Sequence, residues 1–202
     1  MKILAIFGSP RKSGNTALLL NEVLEGARAE GAETVFFSVA GKDIGGCDGC
    51  WACVTTGKCH LKDGLSPLYG LMQEADGIVF GTPIYFWGMT AQMKAVIDRS
   101  IALNSSERPL TNKVAGVVAV AGSLGLVDAL KDFSWFVIMK RMLPANFVCA
   151  YARDPGDTGE MKGLLKDCRD LGRQVVTLAN KGFTYPPEFI KGPGAFGVGE
   201  RR

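Results

Sequence analysis

Short unbroken apolar runs alternate along this chain with longer segments in which apolar residues return every three or four positions. KILAIFG (2–8) is apolar throughout, rich in β-formers and closed by glycine, so it predicts a buried strand. From Thr16 to Ala29 the period becomes helical through Leu20, Val23, Leu24 and Ala27, with Gly31 as the stop. ETVFFSVA (33–40) is a second strand. Leu65–Ala75 predicts a helix with Ser66 as cap and Pro67 at its first position. DGIVFGTP (76–83) is a third strand, and Thr90–Leu103 is helical through Met93, Val96, Ile97 and Ile101. KVAGVVAVAG (113–122) is a fourth strand, followed by a long apolar helix over 124–142 that ends before Pro144. NFVCAYA (146–152) is a fifth strand and Glu160–Asn180 a last helix.

Five strands alternating with helices predict an α/β fold, a parallel sheet with helices on both faces. Of the two common doubly wound orders, five strands favour the flavodoxin-like one, 2-1-3-4-5. A cysteine-rich insertion, 45–62, follows strand 2. One domain over 1–182 and a Gly/Pro-rich tail over 183–202 account for the length.

Composition narrows the classes. Apolar residues at 47% and charged residues at 21% are ordinary for a globular chain. A net charge of +3, with Lys and Arg scattered, gives no nucleic-acid surface. MKILAIFGSP turns polar too soon for a secretory signal, and no apolar run approaches a membrane span. A cytoplasmic location is expected. Thiols stay reduced there, so the dense cysteine cluster points to metal or redox chemistry instead of disulfides.

The loop GSPRKSGNT (8–16) leaves strand 1 and enters a helix. Ser9, Ser13 and Thr16 offer hydroxyls, Asn15 an amide, Arg11 a cation, and Gly14 lets backbone approach. A helix N-terminus with free N–H groups suits a phosphate dianion. Walker A spacing fails, because five residues separate Gly8 from Gly14 and Asn15 stands where the lysine belongs; the dinucleotide glycine fingerprint is absent too. A mononucleotide phosphate remains, and in this fold the usual one is FMN. After strand 3, GTPIYFWGM carries Pro83, Ile84, Tyr85, Phe86, Trp87 and Gly88 at the ligand-binding edge, and Gly122 and Ser123 follow strand 4 there. Flat aromatic and backbone surfaces suit a flavin ring, though plain packing or an oligomer contact would also use them.

The pair of segments GSPRKSGNT and GTPIYFWGMTAQMKAVIDR resembles the NADPH-dependent FMN reductase family over roughly residues 1–125. The resemblance implies that Ser9, Arg11, Ser13, Asn15 and Thr16 hold the FMN phosphate. It further implies that Pro83, Ile84, Tyr85, Phe86, Trp87 and Gly88 lie against the isoalloxazine.

Cys47, Cys50, Cys53 and Cys59 follow a C-x2-C-x2-C-x5-C spacing. Structural zinc sites usually pair two knuckles from separate stretches. Three cysteines two residues apart look more like the run around a [4Fe–4S] cube, with Cys59 closing the fourth corner. Free redox-active thiols and zinc stay open as alternatives. The run is similar to that of the iron–sulfur flavoproteins. That resemblance implies FMN and one [4Fe–4S] cluster per chain, a homodimer or homotetramer, and electron exchange with NAD(P)H, ferredoxin, quinone or oxygen species.

Other residues read as ordinary. His60 sits on an exposed turn, Cys149 and Cys168 are small core residues, and Asp98 with Arg99 forms an exposed or intersubunit charge pair. The expectation is an FMN-dependent oxidoreductase passing electrons between FMN and a [4Fe–4S] cluster. The alternatives are an NAD(P)H-dependent FMN or quinone reductase without a cluster, and a non-catalytic flavin- or zinc-binding regulatory module.

Overall fold

The computed structural model describes residues 1–104 and 108–190. The elements in chain order are β1 (Lys2–Phe7), α1 (Asn15–Ala29), β2 (Glu33–Ser38), α2 (Ala52–Thr56), α3 (Ser66–Glu74), β3 (Gly77–Tyr85), β4 (Gly88–Met89), α4 (Ala91–Arg99), β5 (Val114–Ala121), α5 (Leu126–Met139), β6 (Leu143–Tyr151), α6 (Lys162–Asn180) and α7 (Pro187–Ile190). Single 3-10 turns span Ser100–Leu103 and Asp157–Glu160. The sheet runs β2-β1-β3-β5-β6, all parallel, which is the expected order of the five long strands. It is one strand larger than expected: two-residue β4 folds back antiparallel on the end of β3.

Strand parity builds two cores. Ile3, Ala5 and Phe7 of β1 pack with Leu20, Val23 and Leu24 of α1 and Val175 of α6. Leu4 and Ile6 pack on the other face with Leu68 and Met72 of α3, Met93 and Val96 of α4, and Phe133 and Phe136 of α5. Alternation sends successive side chains to opposite faces, so a strand buried on both reads as continuously apolar. Helices α1 and α6 touch through glycines. A Cβ on Gly172 would lie 1.9 Å from the Val23 carbonyl oxygen, and one on Gly26 would lie 2.0 Å from that of Arg169.

Three local expectations need correction. Ser66 is the first residue of α3 and gives no cap bond; its hydroxyl accepts from the Asp63 amide instead. Pro144 lies inside β6, because β6 is an edge strand and its missing N–H costs no ladder bond. A register shift opposite Ala115–Val117 follows directly after it. Cys149 is accordingly only half-buried, whereas Cys168 is fully buried. Burial pushes the Cys149 thiol up to about 11 and that of Cys168 to about 12, so neither is a thiolate at neutral pH. The tail expected over 183–202 is described to Ile190, where the Tyr185 amide donates to Asn112 and Arg141 donates to the Phe189 carbonyl; 191–202 lie outside the described residues.

Candidate functional site

The loop after β1 ends on Gly14, whose φ of 140° and ψ of −174° only glycine adopts freely. No side chain caps α1. The first intrahelical bond is from the Leu18 amide to the Gly14 carbonyl, which leaves the amides of Asn15, Thr16 and Ala17 without an intrahelical acceptor. Asn15 and Thr16 are among the residues that line a cleft of about 240 Å³, with Ser9, Arg11, Ser13 and Gly14. The Ser9 hydroxyl accepts from the Arg11 amide at 3.1 Å, which folds the loop and brings Arg11 to the rim.

Asn15 does something the sequence did not suggest. Its Nδ2 donates to the Asp154 carbonyl at 2.8 Å, and its Oδ1 accepts from the Gly156 amide at 2.9 Å and the Thr158 hydroxyl at 3.2 Å. The side chain therefore pins the loop after β6 over the cleft, and only its backbone amide is left for an anion. That loop supplies Arg153, which lines the cleft and donates to the Gly122 carbonyl at 3.1 Å. Phe7, Val120 and Ala152 also line it. These four were missed, although each stands at or just past the carboxyl end of a parallel strand, where ligands of this fold bind.

Pro83, Ile84 and Tyr85 form the opposite wall. Phe86, Trp87, Gly88 and Ser123 do not line the cleft. Tyr85 pairs with Gly88, and Phe86 and Trp87 form the two-residue turn between them with φ of 43° and 66°. Positive φ at both positions is the hairpin geometry usually given to Asn-Gly. Bulky residues there are strained by about 1–2 kcal/mol each. The turn lies on Gly125, where a Cβ would meet the Trp87 Cα at 2.6 Å. Phe86 is 94% exposed and stacks edge-on against Trp87, so the turn presents an exposed aromatic pair. Thr90 anchors the hairpin, its hydroxyl donating to the Gly8 carbonyl and accepting from the Met93 amide.

Residues 1–153 match the NADPH-dependent FMN reductase family. An iron–sulfur flavoprotein of Methanocaldococcus jannaschii is 38% identical over 186 residues, covering 87% of this chain and 96% of that protein. The chain belongs to the iron–sulfur flavoproteins of the NADPH-dependent FMN reductase family. The chain is also 29% identical to an iron–sulfur flavoprotein of Archaeoglobus fulgidus, over 93% of this chain and 84% of that one. Among solved structures, RosB with bound 8-demethyl-8-formylriboflavin-5′-phosphate superposes with a TM-score of 0.73 at 20% identity, covering 90% and 79% of the two chains. An NADH:FMN oxidoreductase superposes at 0.61 and 21%, covering 93% and 92%. Likeness at that identity establishes the fold. Family membership makes the chain an FMN-dependent oxidoreductase.

The cysteine segment leaves the carboxyl end of β2, where the Val39 amide donates to the Phe7 carbonyl. Gly49, Trp51 and Gly57 take left-handed φ values of 69°, 60° and 68°, which coil the segment tightly around one-turn α2. Cys47, Cys50, Cys53 and Cys59 all line one small pocket with Asp48, Trp51, His60, Leu61, Arg99 and Ile101. That pocket shares no residue with the cleft at the α1 N-terminus. Helix α4, nine residues or roughly 14 Å long, runs from its cap Thr90, bonded to the Gly8 carbonyl, to Arg99 at the thiols. The cysteine segment thus starts at the carboxyl edge of the sheet, and its thiols meet beside Arg99 at the far end of α4.

Arg99 carries the other correction. It is 1% exposed and pairs with Asp63, while Asp98 pairs with Lys94 on the surface. Its Nη1 donates to the Gly45 carbonyl at 3.0 Å and to Asp63, and its Nη2 to the Cys59 sulfur at 3.7 Å and the Leu61 carbonyl at 3.4 Å. Its Nε is buried without a hydrogen-bond partner among the described residues. Burial pushes the Asp63 carboxyl up, but Arg99 and the Gly45 and Leu65 amides outweigh it and hold it at about 2. Burial likewise raises Cys59, yet the Tyr69 hydroxyl, the Leu61 backbone and Arg99 bring it below its ordinary value. Cys53 is raised, by burial first and by the other thiols after it. His60 lies on the exposed turn expected of it, 2.7 Å from Asp48.

Proposed function

We propose that this FMN-dependent oxidoreductase relays electrons between FMN in the cleft and a [4Fe–4S] cluster held by Cys47, Cys50, Cys53 and Cys59. FMN supplies two-electron chemistry and a cluster one-electron chemistry, so the pair converts between the two. Donor and acceptor are NAD(P)H or a protein such as ferredoxin on one side, and a quinone or oxygen species on the other. Within the cleft, the α1 amides, Ser9, Ser13, Thr16 and Arg11 take the phosphate. Pro83, Ile84, Tyr85 and Gly122 take the ring system, with Arg153 at its polar edge.

The observation that carries the cluster is the convergence of four thiols from one coiled segment on one pocket. Zinc fits this donor set less well. A tetrahedral zinc–thiolate site needs sulfurs about 3.8 Å apart. Among the described residues, the trio of ligand-type side chains with donors within 4.8 Å of one another is Asp48, Cys50 and His60, which contains a single thiol. A cubane separates its four thiolates more widely. The buried, unpartnered Nε–H of Arg99 beside the thiols also suits a site whose bound group brings extra acceptors.

Anaerobic purification followed by flavin, iron and acid-labile sulfide assays tests the reading. Equal iron and sulfide alongside FMN is the expected result, and Cys53→Ser should lose iron while keeping FMN. Fresh anaerobic protein with flavin and no iron would instead be a reductase with free thiols. Copurifying zinc and no turnover would make it a regulatory module.

A further inference from the structure

We propose that Arg99 sets the reduction potential of the cluster, and that Asp63 governs how much of the guanidinium charge reaches it. The inference rests on the cluster reading above and extends it to a residue outside the cysteine run. Arg99 ends α4, 40 residues along the chain from Cys59, yet it is the fixed cation lining the thiol pocket. Being 1% exposed, its charge is little screened by water.

Four bonds hold the guanidinium in place: to the Gly45 and Leu61 carbonyls, to Asp63 and to the Cys59 sulfur. The carbonyls fix the plane and Asp63 offsets part of the charge. The remaining Nη2 proton goes to sulfur, and the Nε proton has no protein acceptor among the described residues. A structural tether would have no need of a sulfur acceptor or an unpaired donor at a thiol-lined wall. Reduction adds one electron to a centre already made negative by four thiolates. A buried cation in contact stabilises the reduced form more than the oxidised one, and so raises the potential. Hydrogen bonds to ligand sulfur act in the same direction. Asp63 is a positioning residue and a partial counter-charge, since its Oδ2 accepts from both Arg99 and the Gly45 amide.

The two charges therefore have opposite effects on the cluster, whereas a purely structural pair would fail the same way from either side. The test is a redox titration of anaerobically purified holoprotein, monitored by the absorbance and paramagnetic signals of the cluster, with iron and sulfide measured in every sample. Asp63→Asn should raise the midpoint. Arg99→Gln combined with Asp63→Asn, which leaves no buried carboxylate unpaired, should lower it below that of Asp63→Asn by at least about tenfold in the reduced-to-oxidised ratio, equivalent to 59 mV for one electron. Arg99→Lys, keeping the charge, should stay nearer the wild type than the double variant. Full iron content with all midpoints unchanged would overturn the inference while leaving the cluster reading intact. So would loss of iron from Arg99→Lys, which would make the residue a tether only. Wild-type protein without iron would sink both.

Discussion

Thr16→Val removes one hydroxyl and almost no volume. Thr16 is 4% exposed, lines the cleft proposed for FMN and stands in the first turn of α1. Its hydroxyl makes no hydrogen bond to the described residues, so the folded apo-protein loses no internal bond on substitution. The threonine donor should be spent on the flavin phosphate. A hydrogen bond to a charged group is worth about 1.5–3 kcal/mol. FMN should then bind roughly 10- to 150-fold more weakly at 1.4 kcal/mol per decade. Riboflavin, which lacks the phosphate, should bind both proteins alike. Flavin fluorescence during titration of apo-protein reads both constants, and thermal unfolding of the apo-proteins checks that the fold is intact. Equal FMN affinity in the two proteins would refute the assignment of the α1 N-terminus to phosphate. An equal loss for riboflavin would show that Thr16 shapes the cleft instead of gripping the anion.

Glycine substitutions in two helices should have opposite signs. Gly172→Ala drives a Cβ to 1.9 Å from the Val23 carbonyl oxygen and 2.8 Å from the Ala27 amide, so α1 and α6 must part; overpacking of about 1–3 kcal/mol or more should outweigh a helix gain of about 1 kcal/mol. Gly70→Ala in α3 meets nothing within 4 Å and should stabilise by about 0.5–1 kcal/mol. Urea midpoints of the apo-proteins decide both, and a stable Gly172→Ala would contradict the packing described. Lys140 is buried, with its amine on the Ser100 carbonyl and Asn104 at 2.7 Å each. Burial first, then Arg108, lower it to about 7 despite an opposing effect of Cys53. A folded pKa below the unfolded 10.5 means that the unfolded chain holds the extra proton between those values, so stability rises with pH across that window. From pH 7 to pH 9 the gain from this group is roughly 2 kcal/mol, and Lys140→Met should abolish that part of the slope in urea unfolding. An unchanged slope would place the amine's pKa elsewhere.

The five long strands and their order were legible because β1, β3 and β5 are buried on both faces and so nearly unbroken in their apolar runs, while the edge strands β2 and β6 still carry β-branched and aromatic residues between turn signals. The cleft-lining turn at the uncapped start of α1 was legible because Gly14, Ser13 and Thr16 lie within four residues of one another. Less could be read where a residue's partner is distant in sequence. Asn15 carries the right chemistry for phosphate, but the backbone after β6, some 140 residues on, claims its side chain. Phe86 and Trp87 read as ring contacts, but nothing local in the sequence showed that they form a strained two-residue turn between β3 and β4. Arg99 beside Asp98 looks like a surface pair, and only packing of α4 under the cysteine segment reveals it as a buried cation on Cys59.

The amino-acid sequence by itself determined the α/β class, the strand order, the open N-terminus of α1 and the spacing of the four cysteines. Those properties depend on neighbours in the chain: side-chain alternation, helical period and local backbone freedom. Tertiary structure alone decided that Arg153 joins the cleft, that the thiols gather at the far end of α4, and which cation lies against them. Electrostatics and hydrogen bonding act through space, and the chain order records nothing of a 3.7 Å contact between residues 59 and 99.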